Sequence, residues 1–191
     1  MGHEGIVTRL FDYFFAKDRD EVKRAILEFF GPENLGSNDE ILMENDEEEA
    51  LFLDWITFDH HLKNGQKLIE NYLSEKRNKL AEAEIEKLEY MQFNKYGYFE
   101  VKDFRLDEWI DLESLQSGKI YRVREKLGTH AAFVGQILLC RVGKTGPDEW
   151  MMVGSNPIEI PATFGSGMKK MLRQSKDALS PKDARVLFMK R

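Results

Sequence analysis

The sequence predicts an α+β protein: a helical N-terminal portion packed on a small antiparallel β-sheet or partly closed barrel, followed by a basic helical tail. Three observations predict it. Apolar residues recur at helical spacing through residues 1–92. From Tyr96 the period falls to two, and glycine, β-branched and aromatic residues become the punctuation. After Gly165-Ser166-Gly167, apolar and basic residues separate onto opposite faces of a helical pattern.

Val7, Leu10, Phe11 and Phe14 form the first stripe, at i, i+3, i+4 and i+7. Asp18 with Glu21 three residues on reads as a capping box. It leads a second helix with Val22, Ala25, Ile26 and Phe29, which Gly31-Pro32 stops. A polar loop is expected around Asn34–Asn38. The run Glu44 to Glu49 then places carboxylates at a helix start, where the dipole favours them, and Leu51, Trp55 and Phe58 carry that helix to His61. Asn64-Gly65 breaks it. Leu68, Ile69, Tyr72 and Leu73 form another stripe, and Ala81–Met91 a last one. In the β-portion, residues 96–104 and 119–125 alternate, with Tyr121 and Val123 on one face and Arg122 and Arg124 on the other. Residues 136–142 read as a central strand, and 150–153 and 158–160 as two short ones, the last bounded by Pro157 and Pro161. In the tail, Gly165-Ser166-Gly167 reads as a flexible joint and Met168, Met171 and Leu172 as one apolar face. Ser180-Pro181-Lys182-Asp183 reads as a second helix start.

Charge divides the chain at the same places. Residues 1–92 carry 11 Lys/Arg against 22 Asp/Glu, residues 93–164 carry 9 against 10, and residues 165–191 carry 8 against 2. The overall net charge of −6 therefore conceals an acidic head and a basic tail. With 191 residues, 42% of them hydrophobic and 12% aromatic, the chain can build a core without staples. One cysteine, Cys140, excludes a disulfide framework and fits a reducing compartment. No targeting segment or membrane span is read from the sequence, so the expected location is the cytoplasm.

Several strings carry a family resemblance: Asp54-Trp55-Ile56-Thr57-Phe58-Asp59, then Gly65 with Leu68-Ile69 and Tyr72-Leu73, then Tyr96-Gly97-Tyr98-Phe99-Glu100-Val101. It continues through Ile110-Asp111-Leu112, Ser117-Gly118 and Gly135-Gln136-Ile137-Leu138 with Arg141-Val142. The chain resembles the helical-plus-β region of uncharacterised bacterial proteins that accompany the SEC-C zinc motif. The resemblance implies a helical lead-in feeding a small β-unit. It carries over no zinc function, because this chain has a single cysteine and no histidine after His130.

Asp59-His60-His61 admits two readings. Adjacent imidazoles and a carboxylate can ligate a divalent metal, as in a metal-dependent hydrolase, but the triplet ends an aromatic helix where histidine packs and complements the dipole. Glu44 to Glu49 reads as a solvated helix start or as the receiver of the basic tail, in cis or from another copy. Cys140, inside an apolar strand, reads as core. In the β-unit, Arg122, Arg124 and Lys126 recur at period two, with Lys119, Arg141 and Lys144 nearby. Small barrels combine such rows with exposed aromatics to bind single-stranded nucleic acid. The alternative is a solvent face paired with Asp103, Asp107, Glu108 and Glu113. Lys169, Lys170 and Arg173 form the basic face of the tail.

These readings predict a non-catalytic binding protein that contacts nucleic acid or a protein partner through Arg122, Arg124, Lys169, Lys170 and Arg173. No cofactor or metal is expected. A metal-dependent hydrolase at Asp59-His60-His61 is the alternative, as is self-association of acidic head with basic tail.

Overall fold

The computed structural model describes residues 3–34, 45–161, 165–174 and 179–188. The expected loop at 34–38 lies largely outside the described residues, as do Glu44 and the side chain of Met168. The chain divides into two compact units, residues 1–85 with 180–191, and residues 86–179. The changes of composition after 92 and 164 fall elsewhere: the second unit begins inside a helix, and the tail contributes one helix to each unit. The protein is α+β.

The first unit is helical. Its elements are α1 (His3–Lys17), α2 (Arg19–Phe29), α3 (Asp46–Phe58), α4 (Leu68–Lys76) and the start of α5 (Glu82–Met91). The predicted stripes are the buried faces: Val7, Leu10 and Phe14 in α1, Val22, Ala25, Ile26 and Phe29 in α2, Leu68, Ile69, Tyr72 and Leu73 in α4. Asp18 caps α2 by accepting from the Glu21 amide at 3.0 Å. The box is only half formed, because the Glu21 carboxylate turns to Arg24 instead. Asn45 caps α3 in the same way, from the Glu48 amide at 2.9 Å. That helix ends at Phe58 rather than His61, since the Asp59 and His60 amides both return to the Trp55 carbonyl at 2.9 Å. Phe29, Phe30, Phe52 and Trp55 make an aromatic cluster with centroids 4.8–6.3 Å apart.

The second unit holds a barrel of five strands, β1 (Asn94–Arg105), β2 (Trp109–Ser114), β3 (Ile120–Arg124), β4 (Ile137–Lys144) and β5 (Trp150–Ile160). They close in the order β1-β2-β3-β5-β4. Four pairings are antiparallel as expected, and the fifth, β3 with β5, is parallel. Closure demands this: direction must alternate around an antiparallel ring, and an odd number of strands cannot alternate throughout. The interior is Phe99, Val101, Ile110, Leu112, Tyr121, Val123, Leu138, Cys140 and Val142. Every residue of β4 from Ile137 to Gly143 is buried, which is why it reads as a continuous apolar run.

Two features of the barrel differ from the sequence reading. Residues 150–153 and 158–160 are one strand, in which register slips between Leu139↔Ile158 and Arg141↔Val153. The intervening residues bulge, Gly154 takes φ +81°, and Pro157 needs no ladder donor there. The other is β2, whose alternating burial joins β1 to β3 and supplies one wall of the site.

The tail continues with α6 (Gly165–Gln174) in the second unit and α7 (Pro181–Phe188) in the first. The glycines expected to form a joint are the first turn of α6. Asp183 accepts from the Ser180 amide at 2.8 Å and from its hydroxyl at 2.7 Å, closing the predicted start of α7. Arg185 of α7 is buried, pairs with Glu48 at 2.8 Å and lies over the Phe30 ring at 4.7 Å.

Candidate functional site

Alternation on β3 sends Tyr121 and Val123 into the barrel and leaves Arg122 and Arg124 outside. Across the β2·β3 ladder, Arg122 stands opposite Asp111 and Arg124 opposite Trp109. The closing pair Val123↔Trp150 brings in a second indole. A cleft of about 480 Å³ results, lined by Trp109, Trp150, Arg122, Arg124 and Lys126, with Asp107, Glu108, Asp148 and Glu149 at its lips.

Both arginines are held but exposed. Arg122 grips Asp111 with two hydrogen bonds, 2.9 and 2.8 Å, while its guanidinium lies 4.0 Å from the Trp109 centroid. The Asp111 hydrogen bond raises its pKa further. Arg124 donates to Glu149 at 3.0 Å. Their side chains stay 62% and 70% exposed, so both pairs belong to the weak, exchangeable surface class. Trp150 meets Tyr121 edge-on at 4.8 Å, and Lys119 and Lys144 lie over its ring at 5.2 and 5.8 Å. Burial raises the Tyr121 phenol pKa.

Of the expected basic residues, Arg122 and Arg124 line the cleft, and Lys169, Lys170 and Arg173 are not among its lining. The hydrogen-bond partners of Arg122 and Arg124 are Asp111 and Glu149, which register and strand order bring opposite; of the carboxylates named from sequence, Asp103 acts on Arg122 through its charge alone. Arg141 is buried on the face of β4 opposite the barrel interior and donates to Asn94 at 2.6 Å. In the tail, Lys169 donates to the buried Glu100 carboxylate at 3.0 Å, and Arg173 stands 3.5 Å from Glu100 and 3.9 Å from Glu113. Neither carboxylate lines the cleft. Lys170 is exposed and forms no ion pair among the described residues. The expected apolar face is divided: Leu172 is buried and Met171 exposed.

His60 is buried and stacks on Trp55 with centroids 4.6 Å apart. Its Nε2 faces the Arg24 guanidinium at 3.0 Å, which requires an unprotonated Nε2, and its Nδ1 lies 3.3 Å from Glu28. Arg24 also donates to the His61 carbonyl at 2.7 Å. Burial lowers the His60 pKa, with Glu28 and Glu21 opposing and Arg24 reinforcing the shift. This is the packing reading of the Asp59-His60-His61 triplet, with Arg24 in the direction a metal would need. Among the described residues, no three His, Cys, Asp or Glu side chains are grouped to hold an ion. Cys140 is a buried thiol of the barrel core.

The sequence reading overlooked Trp109, Trp150 and Glu149 as site residues. Trp109 sits at the head of an unrecognised strand, and Glu149 reaches Arg124, and Trp150 reaches Tyr121, only through the parallel closure. No helix among the described residues is long and apolar enough to cross a membrane.

The sequence model of a family of unknown function, DUF7986, matches residues 4–144. No curated protein and no solved structure matches the chain.

Proposed function

The chain belongs to the DUF7986 family of unknown function, and within it we propose that this protein binds single-stranded nucleic acid in the cleft between β2, β3 and the head of β5. The observation that carries the reading is the position of that cleft. Five-stranded barrels of the OB type bind oligonucleotides and oligosaccharides on the strand 2–3 face, between the loops joining strands 1–2 and 4–5. Here that face and its borders carry Trp109, Arg122, Arg124 and Lys126, and Trp150 lines the cleft from the head of β5 while packing partly on the barrel core. The support is an analogy of topology, strengthened by the chemistry of those side chains.

Bases would stack on the indoles, and two or three phosphates would displace Asp111 and Glu149 from their arginines. The four acidic side chains at the lips keep the phosphate contribution small, so stacking supplies most of the affinity. Lys170 is the tail residue we assign to a peripheral phosphate contact. The setting we propose is cytoplasmic, and kinship with the proteins that accompany the SEC-C motif stays part of the proposal.

Titrating the full chain with a short single-stranded oligonucleotide tests it. Expected are quenching of indole fluorescence and a shallow salt dependence of about −0.7 in log–log slope per phosphate. Trp109→Ala and Trp150→Ala should each weaken binding by about 1–3 kcal/mol. Quenching by a neutral oligosaccharide and by no DNA or RNA strand would replace this reading with carbohydrate binding.

A second reading is that the acidic head of one copy receives the basic tail of another. Lys170 on α6 and the acidic first turn of α3 favour it. The engagement of Arg185 by Glu48 within the chain weighs against it. Light scattering at low and high salt decides, since such an assembly must dissociate on screening.

A further inference from the structure

The lip of the cleft that carries Trp109 is fastened in an unusual way. Asp107 takes φ +62°, the one left-handed non-glycine residue among those described. Aspartate tolerates that conformation better than most residues, yet it persists only where the surroundings impose it. Here they do. The Asp107 amide donates to the Thr129 hydroxyl at 3.0 Å, and that hydroxyl donates to the Lys126 carbonyl at 2.5 Å. Thr129 is 1% exposed, so both halves of its hydroxyl are used where water cannot substitute. Two outer ties run beside it: His130 Nε2 to the Asp107 carboxylate at 2.9 Å, and the Glu125 amide to the Glu108 carbonyl at 3.2 Å.

We infer that Thr129 is a positioning residue of the cleft, holding the Asp107-Glu108-Trp109 lip in its binding shape through the Asp107 amide. The turn that contains Thr129 follows directly on β3 and begins with the cleft residue Lys126. One hydroxyl therefore links the two segments that face a ligand from the β2 and β3 sides. With the link in place, Trp109 is already set against Arg122 before a ligand arrives, and little ordering cost falls on binding. The inference rests on the nucleic-acid reading for its ligand, but not for its geometry.

Thr129→Val, which keeps the shape and removes the hydroxyl, should weaken oligonucleotide binding by about tenfold, the equivalent of about 1.4 kcal/mol. Thr129→Ser should restore it. Hydrogen exchange should find the Asp107 amide protected in the wild type and in Thr129→Ser, and unprotected in Thr129→Val. The Trp109 indole N–H resonance should shift or broaden in the valine variant alone. Equal binding by Thr129→Val and wild type, or rapid exchange of the Asp107 amide in the wild type, overturns the inference. If the valine variant does not fold, wild-type exchange and the serine variant decide. If the wild type binds no strand, the nucleic-acid reading falls, and the exchange and indole measurements still settle the role of Thr129.

Discussion

Arg122 lies 4.0 Å from the Trp109 ring centroid while its Nε and Nη2 both donate to Asp111, its direct cross-strand neighbour. The same guanidinium is thus shared between an indole that a base could stack against and a carboxylate that a phosphate would have to displace. Asp111→Asn separates the two contributions. It should tighten oligonucleotide binding, because a phosphate at Arg122 no longer has to displace a carboxylate. Fluorescence titration at low salt reads the change, and unchanged affinity would show that Arg122 makes no phosphate contact.

The buried imidazole of His60 makes the helical unit sensitive to acid. Glu21, Arg24 and Glu28 of α2 surround it, Trp55 of α3 stacks on it, Lys63 stands 3.5 Å from Glu21, and Lys182 of α7 lies 5.9 Å from the Trp55 ring centroid. Burial holds its folded pKa below the ordinary value, so the unfolded chain takes up the proton first. The stabilisation is complete above about pH 6.5 and declines as pH falls from there toward the folded pKa. Thermal melting between pH 7.5 and pH 5, both approximate limits, should show the decline in the wild type and a flatter profile in His60→Phe.

Glu21 continues the trend at lower pH. Burial alone would raise its pKa, but Arg24 and Lys63 outweigh burial and hold it below the ordinary carboxylate value. Its contribution is present above about pH 4.5 and is lost as pH falls through the folded pKa. Glu21→Gln should lessen the loss of stability in that acid range, as followed by circular dichroism. An unaltered acid profile would show that the ion pairs with Arg24 and Lys63 contribute nothing.

The Glu48–Arg185 pair is buried, with side chains 2% and 4% exposed. Removing one partner leaves the other charge without its counter-ion in an apolar setting against Phe29 and Phe30. Arg185→Met or Glu48→Gln should each cost about 3–5 kcal/mol, and the double replacement much less than their sum. A denaturation double-mutant cycle measures the coupling, and simple additivity would refute it.

Gly143 tests the barrel wall. A Cβ there would stand 2.8 Å from Val153 Cγ2 and 3.4 Å from Asn94 Cβ. Gly143→Ala should destabilise by about 1–3 kcal/mol, and adding Val153→Ala should recover part of the loss. Urea unfolding of the single and double variants checks this.

The helical half was largely legible from local pattern, because each stripe such as Val22, Ala25, Ile26 and Phe29 is an arrangement of residues within a few turns. The cap at Asp18 and the stop at Gly31-Pro32 are equally local, while the Asn45 cap of α3 went unread among the carboxylates around it. The outward placement of Arg122 and Arg124 was also legible, since strand alternation settles which face each residue takes. Their partners were not. Asp111 and Glu149 lie 11 and 25 positions away from them, and register and ring closure alone bring them into reach. Trp150 joins Tyr121 for the same reason: a five-membered ring needs one parallel pair, and nothing in the local sequence says which strands supply it.

Charge patterning shows the same division. By itself the sequence determined that an acidic head and a basic tail exist, because charge depends only on residue identity. Tertiary structure alone decided where the tail's cations go: Lys169 to Glu100, 69 positions back, and Arg185 to Glu48, 137 positions back. Opposite charges attract without regard to sequence distance, and only folding fixes which of the many carboxylates is close enough, and dry enough, to hold each one.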